Sequence, residues 1–192
     1  MSQLIFLLEE PSAQDLLEGL LPRLIPGVTV KYLVFEGKRD LESKMVRRMR
    51  GWQLPGARFV VLRDQDAGDC KQVKSKLTDL ARRAQHPEAL IRVACRELES
   101  WIIGDWEAVA SAFERPSLGK QQRKARYRDP DGLLKPVDEL LKHLPRYRKR
   151  DGARRVGRHL LPLRNKSHSF KVFCEGVKRV AGQLAQAEEN TS

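Results

Sequence analysis

Short apolar runs alternate with amphipathic segments through the first 113 residues. Four runs have the pattern of β-strands, at residues 4–8, 28–35, 57–62 and 90–95. The third contains the continuous stretch Phe-Val-Val-Leu, which is typical of a parallel strand covered on both faces. The four runs therefore predict the strands of one sheet.

Helical periodicity fills the gaps between these runs. We predict a first helix that starts at Ser12 as its N-cap and further helices over residues 40–50, 71–85 and 97–113. Four alternations of strand and helix predict an α/β fold with a mostly parallel four-stranded sheet flanked by helices.

The pattern changes after Phe113. The following residues are polar, basic and rich in Gly and Pro, and short helices are predicted over residues 136–144, 152–161 and 170–186. We therefore expect an α/β domain over residues 1–114 and a basic, mainly helical extension over residues 115–192 that packs on it.

The net positive charge lies in one segment. Residues 1–114 contain 17 basic and 17 acidic side chains, whereas residues 115–171 contain 18 basic and 5 acidic ones, a net charge of +13 that accounts for the +12 of the whole chain once the −1 of residues 172–192 is added. Such segregation favours a polyanionic partner, with a solvated basic face as the simpler alternative.

Two stretches of this segment place a tyrosine among cations. They consist of Arg123, Lys124, Arg126, Tyr127 and Arg128, and of Arg146, Tyr147, Arg148, Lys149 and Arg150. Bases stacking on tyrosine and cations on the backbone would bind nucleic acid. An acidic partner protein is the alternative.

The apolar runs are too short to cross a bilayer, so no membrane association is expected. The three cysteines, Cys70, Cys95 and Cys174, are widely spaced and form no CxxC motif. They support neither a disulfide framework nor a zinc site, and no secretory leader is predicted. A cytoplasmic location is therefore expected.

Every predicted strand is followed by acidic residues. They are Glu9 and Glu10, Glu36, Asp64 and Asp66, and Glu97 and Glu99. Functional residues of an open α/β sheet gather at the carboxyl ends of its strands. Carboxylates brought together there would repel one another, and a hard divalent cation such as Mg²⁺ or Mn²⁺ would relieve that repulsion.

The spacing of Asp64 and Asp66 favours a shared metal ion. Residues i and i+2 of a strand point to the same side, so both carboxylates could share one cation while Gln65 faces away. Asp69, which precedes a Lys-rich helix, is predicted to be the N-cap of that helix rather than a ligand.

Six stretches carry a resemblance to a known family. They are LLEEPSAQDLLEGLLPRLIPG, FEGKRDLE, FVVLRDQDAGDC, RVACRELESWIIGD, ARYRDPD and NKSHSF. Together they resemble Toprim domains, the Mg²⁺-binding folds of primases, topoisomerases and overcoming-lysogenization-defect (OLD) nucleases. More closely, the chain is similar to a bacterial Toprim-like family, the domain-of-unknown-function family 4276.

The resemblance implies a metal-dependent nuclease. Glu9 matches the catalytic first-strand glutamate, Asp64 and Asp66 match the metal-binding pair, and Glu99 matches the later acid, with Glu97 as an alternative ligand. Glu36, followed by Gly37, is a competing match for the first glutamate. Glu9 is preferred because a strand and a helix then separate it from the Asp64 strand, as the fold expects.

Partners also follow from the resemblance. Nucleic acid is expected, together with an ATPase partner protein in an anti-phage or mobile-element setting, and a homodimer is left open. Glu10 stands where Toprim domains usually have glycine. This departure favours an alternative function, a non-catalytic module that docks on a partner ATPase or on nucleic acid.

Overall fold

The computed structural model describes residues 3–189, and at its centre lies a four-stranded sheet. Its strands are β1 (Gln3–Leu8), β2 (Thr29–Val34), β3 (Arg58–Asp64) and β4 (Leu90–Ala94). Their order is β2-β1-β3-β4, and every pairing is parallel. The predicted α/β class is confirmed, and the sheet is entirely rather than mostly parallel.

Helices flank this sheet. They are α1 (Pro11–Leu24), α2 (Lys38–Arg50), α3 (Cys70–Arg83), α4 (Glu99–Ile103), α5 (Trp106–Ala112), α6 (Pro136–His143), α7 (Lys149–Gly157) and α8 (His168–Glu189). Short 3-10 helices span Pro116–Arg123, Ala125–Tyr127 and Pro130–Gly132. None of the helices in residues 3–189 has the length and apolarity that a membrane span requires.

Both faces of the sheet are buried, each in a separate hydrophobic cluster. Leu4 and Phe6 of β1 pack in the cluster that includes α1 and α8, whereas Ile5 and Leu7 pack in the cluster that includes α2 and α3. This alternation follows from the period of two along a strand. It explains why β1 has no polar residue between Leu4 and Leu8.

Two predicted helix boundaries are wrong. The first helix begins at Pro11 with Glu10 as its N-cap residue, and the Ser12 hydroxyl donates to the Glu10 carboxylate instead of capping. The helix predicted over residues 97–113 is broken between α4 and α5. Asp105 caps α5 by accepting a hydrogen bond from the Ala108 N–H at 3.0 Å, which starts a new helix where one continuous helix was predicted.

The C-terminal segment packs closely on α1. Helices α1 and α7 are in close contact at Gly157, where an added Cβ would lie 2.3 Å from the carbonyl oxygen of Leu16. Val156 of α7 and Phe173 of α8 belong to the same hydrophobic cluster as Leu16. This packing holds the start of α7 at the carboxyl edge of the sheet.

Candidate acidic site at the carboxyl edge of the sheet

Glu9 and Asp64 meet where the two central strands end. Glu9 directly follows β1 and Asp64 is the last residue of β3, the strand paired with β1. The Asp64 backbone N–H donates to Glu9 Oε2 at 3.1 Å, and Arg63 Nε lies 3.6 Å from the same oxygen. Burial raises the pKa of Glu9, although the Asp64 N–H opposes the shift.

Asp64 lies close to several other acids at this edge. Its pKa is well above the ordinary range because the carboxylate is buried and because Glu10, Glu99 and Glu9 repel its charge. Lys149 opposes this shift. The charged form of Asp64 is therefore disfavoured both by burial and by its neighbours.

Glu99, the first residue of α4, is fully buried. Its Oε1 accepts a hydrogen bond from the Tyr147 hydroxyl at 3.3 Å, and its Oε2 lies 3.6 Å from Lys149 Nζ without a hydrogen-bond donor. Burial raises the pKa of Glu99 to about 7, with Lys149 opposing and Glu10 and Glu97 adding to the shift. A buried carboxylate oxygen without a donor is costly unless a ligand satisfies it.

Lys149 belongs to the acidic site. Burial lowers its pKa, but Glu99, Glu10 and Glu97 outweigh that effect, so the pKa is raised and the ammonium group stays charged. The Glu97 carboxylate itself accepts a weak hydrogen bond from the Val137 N–H at 3.4 Å, which ties it to α6. Lys149, which was predicted to bind nucleic acid, therefore lies beside the carboxylates instead.

Asp66 has different neighbours from Asp64. The chain has left β3 at this point, Asp66 has a φ of 57°, and its N–H donates to the Arg96 carbonyl oxygen at 2.8 Å. Its carboxylate pairs with Lys38 Nζ at 2.9 Å. Asp64 and Asp66 were predicted to point to the same side, as alternate residues of a strand do. Asp66 does not follow this rule, because a residue in the left-handed region no longer continues the strand.

Glu36 and Asp69 lie outside the acidic cluster. The Glu36 side chain is exposed and lines a surface depression with Asp40 and Lys44, so Glu9 is the acid that lies next to Asp64. Asp69 accepts a hydrogen bond from the Gln72 N–H at 2.9 Å and caps α3. Its predicted role as an N-cap is confirmed.

The donor atoms at this edge suit a hard cation, but they are not gathered around one point. Within residues 3–189, no three His, Cys, Asp or Glu side chains lie close enough together to hold a metal ion. The residue types do fit, since carboxylate oxygens are the ligands that Mg²⁺ and Mn²⁺ prefer. The buried Glu99 Oε2, which lacks a hydrogen-bond donor, is the atom that most needs a cation.

The order of strands and motifs along the chain agrees with a known family. A family model described as "Domain of unknown function (DUF4276)" matches residues 8–178. The chain belongs to the DUF4276 family. The match begins one residue before Glu9 and ends within α8, so it contains all the acids discussed above. No curated protein matches the chain.

Solved structures similar to this DUF4276 protein come from OLD proteins. One is the C-terminal region of the Burkholderia pseudomallei OLD protein, with a TM-score of 0.54 and 15% identity over 96% of this chain and 99% of that one. Another is the C-terminal region of the Xanthomonas campestris pv. campestris OLD protein, with a TM-score of 0.52 and 12% identity over 100% and 98% of the two chains. At such identities the likeness establishes the fold.

The basic segment of this DUF4276 protein differs from the prediction in its tyrosines. Tyr127 is 2% exposed and packs on Trp106, and Tyr147 is 8% exposed and bonds Glu99. Neither ring stands free on the surface, so the expected exposure of these two tyrosines is wrong. Most of the predicted cations are exposed: Arg123, Lys124, Arg126, Arg128, Arg146, Arg148 and Arg150.

Some of these cations have structural partners. Arg126 pairs with Glu139, and Arg150 pairs with the buried Asp15 of α1 through a 2.7 Å contact. These two ion pairs therefore stabilise the fold of the basic segment and its attachment to α1.

The sequence analysis gave two residues of the site other roles. Glu10, named there among the acids at strand ends but not as a site residue, is after burial the largest contributor to the raised pKa of Asp64. Lys149, predicted to bind nucleic acid, lies 3.6 Å from Glu99. Nothing in the local sequence distinguishes Lys149 from the neighbouring cations, because only the packing of α7 brings it to the sheet edge.

Proposed function

We propose that this DUF4276 protein is a Toprim-type, divalent-metal-dependent phosphodiesterase that cleaves nucleic acid. The observation that carries the proposal is the position of Asp64 beside Glu9, Glu10 and Glu99, because burial and these three charges raise its pKa well above the ordinary range. A protein does not gain stability from crowding carboxylates, and such perturbed groups concentrate at functional sites. The OLD-like fold supports the same reaction class by analogy only.

In this proposal Asp64, Asp66 and Glu99 would hold Mg²⁺ or Mn²⁺, with Glu97 as a further ligand. The ion, when bound, would polarise the phosphate and lower the pKa of a coordinated water. Asp66 would have to exchange its pairing with Lys38 for this role.

Glu9 is the proposed general acid/base. Its raised pKa lets the carboxyl group hold a proton nearer to neutral pH than an ordinary glutamate does. The Asp64 N–H fixes its Oε2, which leaves Oε1 to take or give the proton. Lys149 would stabilise negative charge that develops on the phosphate oxygens next to Glu99.

The exposed cations of residues 115–171 would hold the phosphate backbone of the substrate. Arg123, Lys124 and Arg128 are exposed and follow one another along the 3-10 helical region. Their contribution would fall steeply as the salt concentration rises.

The test is cleavage of plasmid DNA, single-stranded DNA and RNA with Mg²⁺ or Mn²⁺. Asp64→Asn is expected to lower the rate at least about 100-fold, because it removes both charge and ligand oxygen. The control is Asp79→Asn, an exposed α3 aspartate paired only with Arg82, and it should cleave like the wild type. Equal cleavage by Asp64→Asn and wild type would overturn the mechanism.

A second function is favoured by one observation. Lysines stand beside two of the proposed ligands, Lys38 at Asp66 and Lys149 at Glu99, as in a site whose charge is already balanced. The chain would then be a non-catalytic module that docks on a partner ATPase or on nucleic acid. Calorimetric titration with Mn²⁺ separates the two functions, because only the enzyme requires binding that Asp64→Asn abolishes.

A further inference from the structure

A groove of about 250 Å³ lies beside the acidic site and has no part in the chemistry proposed above. It is lined by Phe113, Arg115, Leu144, Pro145, Arg146 and Tyr147. Pockets for drug-sized ligands have volumes of roughly 300–1,000 Å³. This groove is therefore of the size that suits a single planar ring system.

The walls of the groove are apolar and partly aromatic. Phe113 is half-buried at the end of α5, and Leu144 and Tyr147 are buried in the connection between α6 and α7. The Arg155 guanidinium lies 5.6 Å from the centre of the Phe113 ring and helps to hold it. Aromatic and aliphatic walls of this kind favour a flat, polarisable ligand.

Two arginines, Arg115 and Arg146, line the groove. Arg115 and Arg146 are exposed, and within residues 3–189 neither has a carboxylate partner. Arg115 Nη1 donates to the His143 carbonyl oxygen at 2.9 Å, which keeps its guanidinium close to the groove. By contrast, four exposed arginines of the same segment are ion-paired: Arg126, Arg150, Arg154 and Arg155.

Tyr147 connects the groove to the acidic site. It lines the groove, and its hydroxyl donates to Glu99 Oε1 at 3.3 Å. Gly152 leaves room for it, because a Cβ at that position would lie 2.0 Å from Tyr147 Cε2. One closely packed side chain therefore separates a ring-sized groove with free cations from the proposed phosphate site.

We propose that the groove binds one unpaired base of a nucleic-acid strand, with Arg115 and Arg146 on the adjoining phosphates. The inference rests on the proposed function and adds to it that the substrate is single-stranded. A base within a duplex is covered on both faces by its neighbours, so it cannot enter the groove without being unstacked. Binding of a flat base between apolar walls and of phosphate by arginine follows the pattern of single-strand-binding proteins.

The first test measures binding without cleavage. Fluorescence anisotropy in EDTA would give the dissociation constant of a labelled oligothymidylate for wild type and for Arg115→Gln/Arg146→Gln, which is expected to bind about tenfold more weakly. The matched control is Arg47→Gln/Arg48→Gln, two exposed arginines of α2 on the other face of the sheet. It should lose less than about twofold, and equal losses in the two double variants would overturn the proposal.

The second test asks whether the base is recognised. Wild type should bind the oligothymidylate at least about fivefold more tightly than an abasic strand of the same length, and more tightly than a blunt duplex. Phe113→Leu, which keeps an apolar wall, should reduce the preference for the intact strand. A wild type that binds both strands equally, or a Phe113→Leu variant with an unchanged preference and an unchanged melting temperature, would overturn the proposal.

Failure of this inference can be separated from failure of the proposed function. Base-dependent binding in EDTA together with cleavage that is indifferent to Asp64→Asn would overturn only the enzymatic mechanism. Cleavage that depends on Asp64 together with base-independent binding would overturn only the groove.

Discussion

Buried carboxylates have opposite surroundings in two regions of the chain. At the sheet edge, Asp64 and Glu99 are crowded by other acids, and their pKa values are raised. Farther along the chain, the fully buried Asp105 binds the Arg164 guanidinium through contacts of 2.6 and 3.0 Å and also accepts backbone N–H groups of Ala108 and Leu161. The same fold therefore gives Asp105 hydrogen bonds at both carboxylate oxygens and leaves Glu99 Oε2, within residues 3–189, without a hydrogen-bond donor.

Glu139, like Asp105, is a buried acid with cationic partners. It binds Arg126 Nε at 2.7 Å and Lys142 Nζ at 2.6 Å, and these hydrogen bonds lower its pKa to about 2. Acids with a structural role receive cations and backbone donors, as burial of charge requires. At Asp64 the nearby Lys149 offsets the unfavourable charge only in part, and the pKa stays raised.

The largest expected effect is at a satisfied acid. Asp105→Asn should lower the free energy of unfolding by about 2–3 kcal/mol, because the buried end of Arg164 loses its counter-charge. Chemical denaturation at pH 7 measures this change. Asp151→Asn, which disrupts only the exposed pair with Arg155, is the control and should cost less than about 0.5 kcal/mol. Comparable losses in both variants would contradict the assignment of Asp105 as a buried structural acid.

At the sheet edge, by contrast, removing an acid is expected to raise the free energy of unfolding. Asp64→Asn removes a charge that burial and three neighbouring carboxylates disfavour, so in EDTA at pH 7 the free energy of unfolding should rise by about 1 kcal/mol. Urea denaturation of wild type and variant gives the difference, with Asp79→Asn as the exposed control. A clear loss of stability would show that Asp64 is a structural acid, and the contrast between the regions would disappear.

The stability that the ion pairs of Glu139 contribute is expected to depend on pH. Its pKa of about 2 in the folded protein lies below the ordinary value of 4.5, so its ion pairs stabilise the fold above pH 4.5 and lose their effect as the pH falls through about 2. At pH 7, Glu139→Gln should therefore cost about 1 kcal/mol, a modest figure because Arg126 is exposed. Denaturation curves from pH 7 to 2 should converge for wild type and variant, and a constant difference would contradict the prediction.

The smallest expected effect concerns Lys38. Its ammonium group pairs with Asp66 at 2.9 Å and would compete with a cation for that carboxylate. Lys38→Met should therefore strengthen Mn²⁺ binding by roughly two- to fivefold in calorimetry, as loss of an exposed ion pair allows. Lys44→Met, which removes the pair with Asp40, is the control. Weaker binding in Lys38→Met would mean that Lys38 supports the site instead of competing for it.

The sheet and the first acids were predictable because they depend on local pattern. The apolar run before Asp64 and the acid after each strand indicate both the strands and the ends at which acids gather. Glu9 was preferred to Glu36 from the spacing that the fold expects, and the pairing of β1 with β3 is what places Glu9 next to Asp64. Sequence periodicity does not contain that pairing.

Contacts between distant segments could not be predicted. The family-specific stretches RELESWIIGD, ARYRDPD and NKSHSF meet in one network, in which Asp131 accepts hydrogen bonds from Ser167 Oγ and the Ser169 N–H, and Trp101 Nε1 donates to Ser169 Oγ. Asp131 thereby satisfies the start of α8. These stretches therefore join the start of α8 to the 3-10 helix that carries Asp131, and the first of them also carries Glu97 and Glu99.

The crossing of α1 and α7 at Gly157 has a consequence for genetics. Lys149 begins the same helix that Gly157 ends, about 12 Å away at 1.5 Å per residue, so a helix pushed outward at Gly157 carries Lys149 with it. A screen of random substitutions for loss of function should therefore recover Gly157 alongside the acids. Under the proposed mechanism, such a mutant would lose cleavage although every carboxylate is intact, because Lys149 no longer reaches Glu99.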